Sequence, residues 1–446
     1  MQTASRKVIN GWAMYDWANS VYSLVITSSI FPTFYEGITS GKIIRYAGRI
    51  FKEPTALYDY AVAFSFLIVS LFSPLLSSIA DAFGNKKRFM QFFCYVGSIS
   101  CCAMYWISTD DAQAGASVGI TLFIIASIGF GASLVFYNAY LPEIAAEKDQ
   151  DRVSARGFAF GYVGSVILLV FCLVMISFHQ SFGIASETRA VQISFLLTGL
   201  WWMGFAQFTF AVLPKSLPNP VSKSRNALTK GYAELRKVWN ELKTQAILKR
   251  FLLAYFFFGM GVETVMYSAA IFAKHLIFPK TGNKDVDTSN SGKLILTILI
   301  IQLVAIAGSY LFSFFSGKIG NFKVLLIAVV IWTGICVWAY FVYTEIPFYC
   351  LAGTVGMVMG GIQSLSRSTY SKLMPPTKDT ASYFSFYDVC DKVSTVIGMI
   401  TFGLATEMLG GMRNAVLFIM VYFIISFFIL LSTIATQRKL KLATQV

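Results

Sequence analysis

The sequence DAFGNKKR at residues 81–88 is partly repeated as GKIGNFK at residues 317–323. Each copy contains Gly-Asn-x-Lys and lies in a short polar loop between two long apolar stretches. A weaker repeat relates FAFGYVGSV at 158–166 to FSFYDVCDKV at 384–393, which share Phe-small-Phe and a following Val. These repeats predict a duplicated membrane unit, whose parallel halves are related by an axis along the membrane normal.

The composition predicts an integral membrane protein, because 56% of the residues are hydrophobic and only 13% are charged. A helix needs about 20 apolar residues to cross the hydrocarbon core. Long unbroken apolar runs favour helices over a β-barrel, whose strands alternate in short segments. We therefore expect an all-α protein of twelve transmembrane helices in two six-helix pseudo-repeats. The predicted spans are 9–36, 57–80, 88–108, 115–140, 156–179, 190–213, 249–275, 293–316, 323–343, 347–370, 384–407 and 413–435.

The spans divide the chain into an N-terminal six-helix bundle at 1–213, a basic linker at 214–248 and a C-terminal bundle at 249–446. The linker starts irregularly and continues as an amphipathic helix, which we expect to lie on the inner membrane surface. Most of the 36 Lys and Arg residues fall in this linker, in the tails and in loops on the same side. This bias places both termini in the cytoplasm and explains the net charge of +14 without nucleic acid.

No sequence motif indicates an enzyme, because the chain contains no nucleotide loop, nucleophile elbow, zinc pattern or haem motif. The seven cysteines fall within predicted spans and lack the spacing of metal ligands. We expect no cofactor, no metal ion and no disulfide framework. The lipid bilayer and a small solute are the expected partners.

Glu263 is the strongest single candidate for a functional residue. It lies near the middle of the seventh predicted span and therefore close to the bilayer midplane. A carboxylate at this depth is costly, so it indicates a site that binds an ammonium group or carries a proton. A protonated glutamate that only hydrogen-bonds between helices is the alternative.

A second group of charges lies toward the inner ends of the spans. Asp388, Asp391 and Lys392 share one helical face at positions i, i+3 and i+4. Arg367 closes the tenth span, and Asp16 lies within the first two turns of the first span. In one interpretation Arg367 or Lys392 binds the carboxylate of a zwitterion, and Asp16 or Asp388 binds its amine. In the other, they form an inner gate or purely structural pairs.

Polar and aromatic residues of the first and fourth spans complete the predicted cavity. A buried amide needs a hydrogen-bond partner, which is either a neighbouring helix or a solute. The sequence leaves both possibilities open for these residues. They are Asn19, Tyr22, Tyr137 and Asn138.

The loop DAFGNKKR resembles the loop between helices two and three of the major facilitator superfamily, commonly G-x-x-x-D-R-x-G-R-R. Ser77 and Ala82 stand where that pattern usually has Gly and Arg. The resemblance implies that Asp81 contacts the start of the eleventh helix and holds the cytoplasmic side closed. The gate residues that follow from it are Asp81, Gly84, Lys86, Lys87 and Arg88.

Four further segments narrow the resemblance. They are GWAMYDWANSVYS at 11–23, FYNAYLPEIA at 136–145, VSARGFAFGYVGS at 153–165 and the long segment 366–398 that begins SRSTYSKLMPPTKD. Together they resemble the signature segments of the vacuolar amino-acid effluxer family, a branch of the major facilitators with many bacterial members. The resemblance implies a twelve-helix facilitator fold, a monomer and amino-acid movement.

We therefore expect a secondary active or facilitative transporter in a bacterial inner (plasma) membrane. It would move a small polar solute, with amino acids as first choice, by alternating access. One alternative is a proton-coupled transporter of another solute, such as a short peptide, a muropeptide-like sugar or an organic ion. A receptor or scaffold without transport on the same fold is the other alternative.

Overall fold

The computed structural model describes residues 2–214, 227–279, 282 and 284–443. The irregular part of the predicted linker, residues 215–226, therefore lies outside the described residues. The described chain is almost entirely helical, with one short antiparallel hairpin of β1 (Ile44–Tyr46) and β2 (Arg49–Phe51). The helices are α1 (Arg6–Val21), α2 (Phe31–Thr39), α3 (Pro54–Phe83), α4 (Lys86–Ala103), α5 (Ala112–Asn138), α6 (Leu141–Ile144), α7 (Gln150–Ser177), α8 (Glu187–Val212), α9 (Ala227–Thr244), α10 (Ala246–Leu276), α11 (Lys284–Ile319), α12 (Asn321–Phe341), α13 (Glu345–Leu373), α14 (Thr380–Met408) and α15 (Met412–Ala443).

Ten helical segments of the described chain are long and apolar enough to cross a membrane. They correspond to ten of the predicted spans. The other two predicted spans are also helical. The first consists of α1, a π-helical stretch at Tyr22–Ile30 and α2, and the other is α4 followed by a short 3₁₀ turn at Met104–Trp106. Large apolar side chains such as Leu67, Leu71 and Phe428 are exposed on the bundle surface, as expected for helices that face lipid.

The helices form two sets, which we name by their position in the chain. The N-terminal set comprises α1 to α8, and the C-terminal set comprises α10 to α15. The sets meet where α3 packs against α14 and where α7 packs against α11 and α13. The space between these contacting helices contains most of the charged residues predicted for the site.

Close helix packing in the C-terminal set depends on glycine. A Cβ atom at Gly356 would clash with the carbonyl oxygen of Ile301, and one at Gly360 would clash with that of Ala305. Both glycines lie on α13 and both carbonyls on α11, so the backbones of these two helices are in direct contact. Small residues allow this approach in membrane helices.

Gly84 and Gly320 occupy the two repeated loops and have positive φ angles of 64° and 88°. Each ends a long helix just before the next one begins, a position that favours glycine because it lacks Cβ. These two turns and α9 lie at the same end of the bundle, which we call the linker end.

Candidate functional site

The central feature of the site is a buried ion pair between α1 and α13. Arg367 Nη1 lies 3.2 Å from Asp16 Oδ2, and both side chains are less than a tenth exposed. The Tyr137 hydroxyl donates to the same carboxylate oxygen at 2.7 Å. The structure thus brings together three predicted site residues, and Arg367 joins the N-terminal set to the C-terminal set.

Arg367 donates three further hydrogen bonds. Its Nε donates to Ser154 Oγ at 3.0 Å, and its Nη2 donates to the Ser154 carbonyl oxygen at 2.8 Å. Nη1 also donates to Asn138 Oδ1 at 3.3 Å. The guanidinium carbon lies 4.8 Å from the Trp12 ring centroid and 4.2 Å from that of Phe158. Protein groups therefore accept hydrogen bonds from four of the five N–H groups of Arg367, which favours a gate or structural role over solute binding.

Gly157 makes room for this ion pair. A Cβ atom at position 157 would lie 2.5 Å from Asp16 Oδ2 and 2.8 Å from Arg367 Nη2. Both distances are shorter than any relaxed contact with carbon, so a side chain there would displace the charged groups. The segment 153–165 quoted above for the family resemblance therefore has a direct packing function.

A second group of charges lies between the sets, and we call it the midspan cluster: Glu263, Asp388, Asp391 and Lys392. Lys392 Nζ lies 2.9 Å from Asp391 Oδ2, and Asp391 Oδ1 accepts a hydrogen bond of 2.6 Å from Tyr255. Asp391 and Lys392 are also close enough to Glu263 to interact with its charge. Asp391 is therefore held by two partners, Lys392 and Tyr255.

The midspan cluster corrects the arrangement expected from the sequence. Asp388, Asp391 and Lys392 were predicted to meet Asp16 and Arg367, and Glu263 was treated as a separate candidate. No hydrogen bond or ion pair among the described residues joins the two groups. The reason is that Arg367 already has its partners on α1, α5 and α7, whereas Lys392 points toward α3, where its Nζ lies 5.1 Å from the Phe66 ring centroid.

Glu263 is half-buried and is linked to the N-terminal set through one intermediate residue. Gln363 Nε2 donates to Glu263 Oε1 at 3.5 Å, and Gln363 Oε1 accepts a 2.8 Å hydrogen bond from the Tyr162 hydroxyl. Neither Gln363 nor Tyr162 was predicted as a site residue. Their positions near Arg367 and within the segment 153–165 were the available sequence signal.

The two remaining cavity candidates occupy different surroundings. Asn19 is buried on α1, and its Nδ2 has no hydrogen-bond partner among the described residues. The Tyr22 hydroxyl lies 2.6 Å from Ser127 Oγ on α5, so this side chain packs inside the N-terminal set. Asn19 therefore has a free donor, and Tyr22 does not.

At the linker end, Asp81 caps the beginning of α14. Its carboxylate accepts hydrogen bonds from the backbone amides of Ser382 at 2.7 Å and Ala381 at 3.3 Å. The Ser382 hydroxyl donates to the same carboxylate at 2.8 Å. A negative charge at a helix N-terminus is favourable by about 0.3–1 kcal/mol. The placement agrees with the facilitator resemblance, in which this aspartate contacts the start of the eleventh helix.

The basic residues after Gly84 have distinct positions. Lys86 is buried, forms an ion pair with Glu143 and donates to Thr380 Oγ1 at 2.7 Å. Lys87 Nζ donates to the Leu213 carbonyl oxygen at 2.9 Å, near the end of α8. Arg88 is exposed. Lys86 thus reaches the C-terminal set through Thr380 of α14.

Asp151 forms a related contact beneath the second repeated loop. Its carboxylate accepts from Lys372 Nζ at 2.6 Å, from Ser316 Oγ at 2.7 Å and from Asn321 Nδ2 at 2.8 Å. Here the carboxylate lies in the first turn of α7, and the donors lie at the end of α11 (Ser316), at the start of α12 (Asn321) and on α13 (Lys372). The second loop has Gly317 where the first has Asp81. The carboxylate of this second contact therefore comes from Asp151 on the facing helix α7, not from the loop itself. Asp151 and Lys372 were not predicted.

The helix α9 is attached to the same end of the bundle. Lys237 Nζ lies 2.9 Å from Asp379 Oδ2 and 2.9 Å from Glu234 Oε1. The Tyr383 hydroxyl donates to Glu241 at 2.6 Å. Burial opposes the charge of Lys237, but the hydrogen bonds to Asp379 and Glu234 outweigh it and raise its pKa. The predicted amphipathic helix therefore contacts the residues around the start of α14.

The geometry above belongs to a known class of protein. Two crystal structures with similar folds are the outward conformation of FucP, with a TM-score of 0.67 and 13% identity, and XylE, with 0.68 and 14%. The match to FucP covers 96% of this chain and 97% of that one, and the match to XylE covers 96% and 95%. FucP is described as a major facilitator superfamily transporter and XylE as a proton:xylose symporter of the same superfamily. The chain is thus a multi-pass membrane protein with the major facilitator fold.

The particular family follows from the sequence comparison. Residues 4–443 match the family described as "Vacuole effluxer Atg22 like", and the chain belongs to that family. YxiO of Bacillus subtilis (strain 168), an uncharacterized MFS-type transporter, is 30% identical over 94% of this chain and 93% of its own length. Autophagy-related protein 22 of Kluyveromyces lactis is 23% identical over 95% and 92%. The predicted family is confirmed, and the chain is not an enzyme.

Proposed function

We propose that this protein is a secondary transporter of amino acids or close derivatives in a bacterial plasma membrane. The observation that carries the proposal is the buried Asp16–Arg367 pair, which joins the two helix sets beside the half-buried midspan cluster. A polar connection that can break and re-form between two rigid bundles is what alternating access requires. The family description as vacuole effluxers supports outward movement of solute from a compartment.

The proposed topology has twelve spans in two six-helix bundles, 1–213 and 249–446, joined by the linker 214–248. The segment from α1 to α2 and the helix α4 would supply the two spans beyond the ten that meet the length and hydropathy criterion. Both termini and α9 would then lie in the cytoplasm, which agrees with the positive-inside distribution. A monomer suffices, because both bundles come from one chain.

In this proposal the linker end is the cytoplasmic gate. Asp81 holds the start of α14, and Asp151 holds Lys372 and Asn321, so both repeated loops bind the opposite helix set. Opening toward the cytoplasm breaks both contacts as well as the Asp16–Arg367 pair. The solute site lies in the midspan cluster. There Lys392 binds the carboxylate of the amino acid, and the acidic side chains bind its amine.

Proton coupling is a second candidate, and Glu263 favours it. This carboxyl accepts a hydrogen bond from Gln363 of α13, which in turn binds Tyr162 of α7, and it interacts with Asp391 and Lys392 of α14. Such a group can exchange a proton for a bound ammonium or respond to solute binding through its neighbours. A proton-coupled transporter of another solute remains the alternative that this residue supports.

The test is flux of a labelled amino-acid mixture in proteoliposomes that contain the full-length protein, with and without an imposed pH gradient. The wild type should accumulate or release at least one amino acid, and Glu263→Gln should abolish the response to the pH gradient. Glu407→Gln is a matched control, because Glu407 is an exposed carboxylate near the end of α14. Absence of amino-acid flux in either direction would overturn the proposed substrate class.

A further inference from the structure

The midspan cluster carries more negative than positive charge. It contains the three carboxyl groups of Glu263, Asp388 and Asp391 but the single ammonium of Lys392. The nearby Asp16 and Arg367 balance each other as a closed pair. A solute that enters this region therefore meets an acidic environment, and opposite charges attract strongly where water is partly excluded.

These groups face one shared space between the two helix sets. Lys392 lies over Phe66 of α3, and Phe66 packs against Tyr267 of α10 with ring centroids 6.3 Å apart. Asp388 is close enough to Lys392 and Asp391 to interact with both charges. Glu263 interacts with the same two residues from α10. Helices α3, α10 and α14 thus place the cluster around a common centre.

Within the cluster, Asp388 gives the clearest indication of a ligand. Asp388 is 6% exposed, and its Oδ2 atom has no hydrogen-bond partner among the described residues. A buried carboxylate oxygen without a donor is unfavourable, since neither water nor protein replaces its lost hydration. An ammonium or guanidinium group would supply the missing donor and the opposite charge.

Aromatic rings around the cluster favour the same kind of ligand. Tyr255 and Tyr387 stack with ring centroids 4.4 Å apart, and Asp388 follows Tyr387 in the chain. Phe66 already accepts the Lys392 ammonium on its face. Ring faces attract cations, with a gain of about 0.5–2 kcal/mol that depends on desolvation.

We propose that the midspan cluster selects dibasic amino acids, the class that carries two cationic groups and one carboxylate. The inference rests on the proposed amino-acid transport and names the preferred substrate class at that site. Lys392 binds the α-carboxylate, while Asp388 and Glu263 bind the two cationic groups. A neutral amino acid leaves one of these carboxylates without its partner, and the side chain of an acidic amino acid places a further carboxylate against them.

The first experiment uses the wild-type protein in proteoliposomes with labelled lysine, leucine and glutamate at equal concentrations. We expect lysine to have a KM about tenfold lower than leucine, as for one additional charge-assisted hydrogen bond, and glutamate to be the poorest substrate. Unlabelled 1,5-diaminopentane should compete with lysine, and glutarate should not. Equal handling of lysine and leucine, or a preference for leucine, would overturn the inference but leave amino-acid transport intact.

A series of variants tests whether Asp388 causes the preference for lysine over leucine. Asp388→Asn should lower the ratio of the leucine KM to the lysine KM by about tenfold, and Asp388→Glu should retain much of it. Glu407→Gln removes one exposed carboxylate from the same helix and should leave the ratio unchanged. An unchanged KM ratio in Asp388→Asn would show that Asp388 does not cause the preference for lysine, and it would overturn the proposed role of the cluster. Absence of flux for all three amino acids would instead reject the underlying transport proposal.

Discussion

Arg367 of α13 donates to Asp16 of α1 at 3.2 Å, and this buried pair joins residues that are 351 positions apart in the chain. Loss of either partner leaves a buried charge without compensation, at a cost of about 3–5 kcal/mol. The net stability that the intact pair provides is smaller, since both charges were desolvated to form it. The pair therefore matters most for which conformation of the two helix sets is favoured.

The first prediction is a double-mutant cycle on this pair. Asp16→Asn and Arg367→Gln should each lower the thermal stability of the detergent-purified protein, because each leaves one buried charge unpaired. The double variant should lose less stability than the sum of the two single losses, by about 0.5–3 kcal/mol. Thermal unfolding of the four proteins measures this coupling. Strict additivity would show that the two charges do not interact in solution.

The second prediction concerns the space that Gly157 provides. Gly157→Ala should destabilise the protein by about 1–3 kcal/mol, the usual cost of overpacking, because the new Cβ meets Asp16 and Arg367. Gly204→Ala is the matched control on another helix, since nothing lies within 4 Å of a Cβ there. That control should be neutral or stabilising by up to about 1 kcal/mol, in line with helix propensity. Equal effects of the two variants on thermal stability would contradict the packing argument.

The third prediction is a reversible lock at the linker end. The Ser78 and Ser382 hydroxyls are 3.2 Å apart on α3 and α14, close enough for a disulfide with little backbone movement. The pair Ser78→Cys and Ser382→Cys should cross-link under oxidising conditions and stop solute flux. A reductant should restore the flux, and Ser78→Cys alone should be insensitive to oxidation. Full flux in the cross-linked protein would exclude separation of these helices from the transport cycle.

Several of these contacts could be predicted from the sequence because local patterns determine them. Apolar runs of span length located the helices, and the loop at 81–88 placed Asp81 at the start of α14 through its family resemblance. The depth of Glu263 in its span favours a functional carboxyl, and that role stays a prediction. In each case the signal lay within a few residues of the feature itself.

Other contacts could not be predicted, because they depend on how distant helices rotate and pack. Asp151 meets Lys372 across 221 positions, and neither residue is unusual within its own segment. The repeated loop at 317–323 was the one available signal, since it implied a counterpart of the Asp81 contact in the other half. The rotation of α14 that brings Lys392 to Phe66 rather than to Asp16 has no local sequence signature.

The fourth prediction tests the attachment of α9. Lys237→Ala should loosen this helix, because it removes the ion pair between α9 and the buried Asp379 carboxylate, which is 3% exposed. The ion pair is intact below the ordinary lysine pKa of 10.5 and is lost only as pH rises through the raised value. Hydrogen exchange of α9 at neutral pH should therefore be faster in Lys237→Ala. Arg236→Ala removes an exposed neighbouring charge and should leave the exchange rate unchanged. Similar rates in both variants would contradict a specific role of Lys237.

The fifth prediction concerns Asp151, the counterpart of Asp81 at the second repeated loop. Asp151→Asn removes the negative charge that receives Lys372, Ser316 and Asn321.

The substitution should cost about 2–3 kcal/mol, since a hydrogen bond to a charged group contributes about 1.5–3 kcal/mol and the Lys372 side chain is 18% exposed. Glu147→Gln removes an exposed carboxylate from the preceding turn and should change stability by no more than about 0.5 kcal/mol. In the proposed gate this contact holds the linker end closed, so Asp151→Asn should also make a cysteine introduced at Thr369 react faster with a maleimide. Unchanged stability and labelling would show that the second loop, unlike the first, does not hold the two helix sets together.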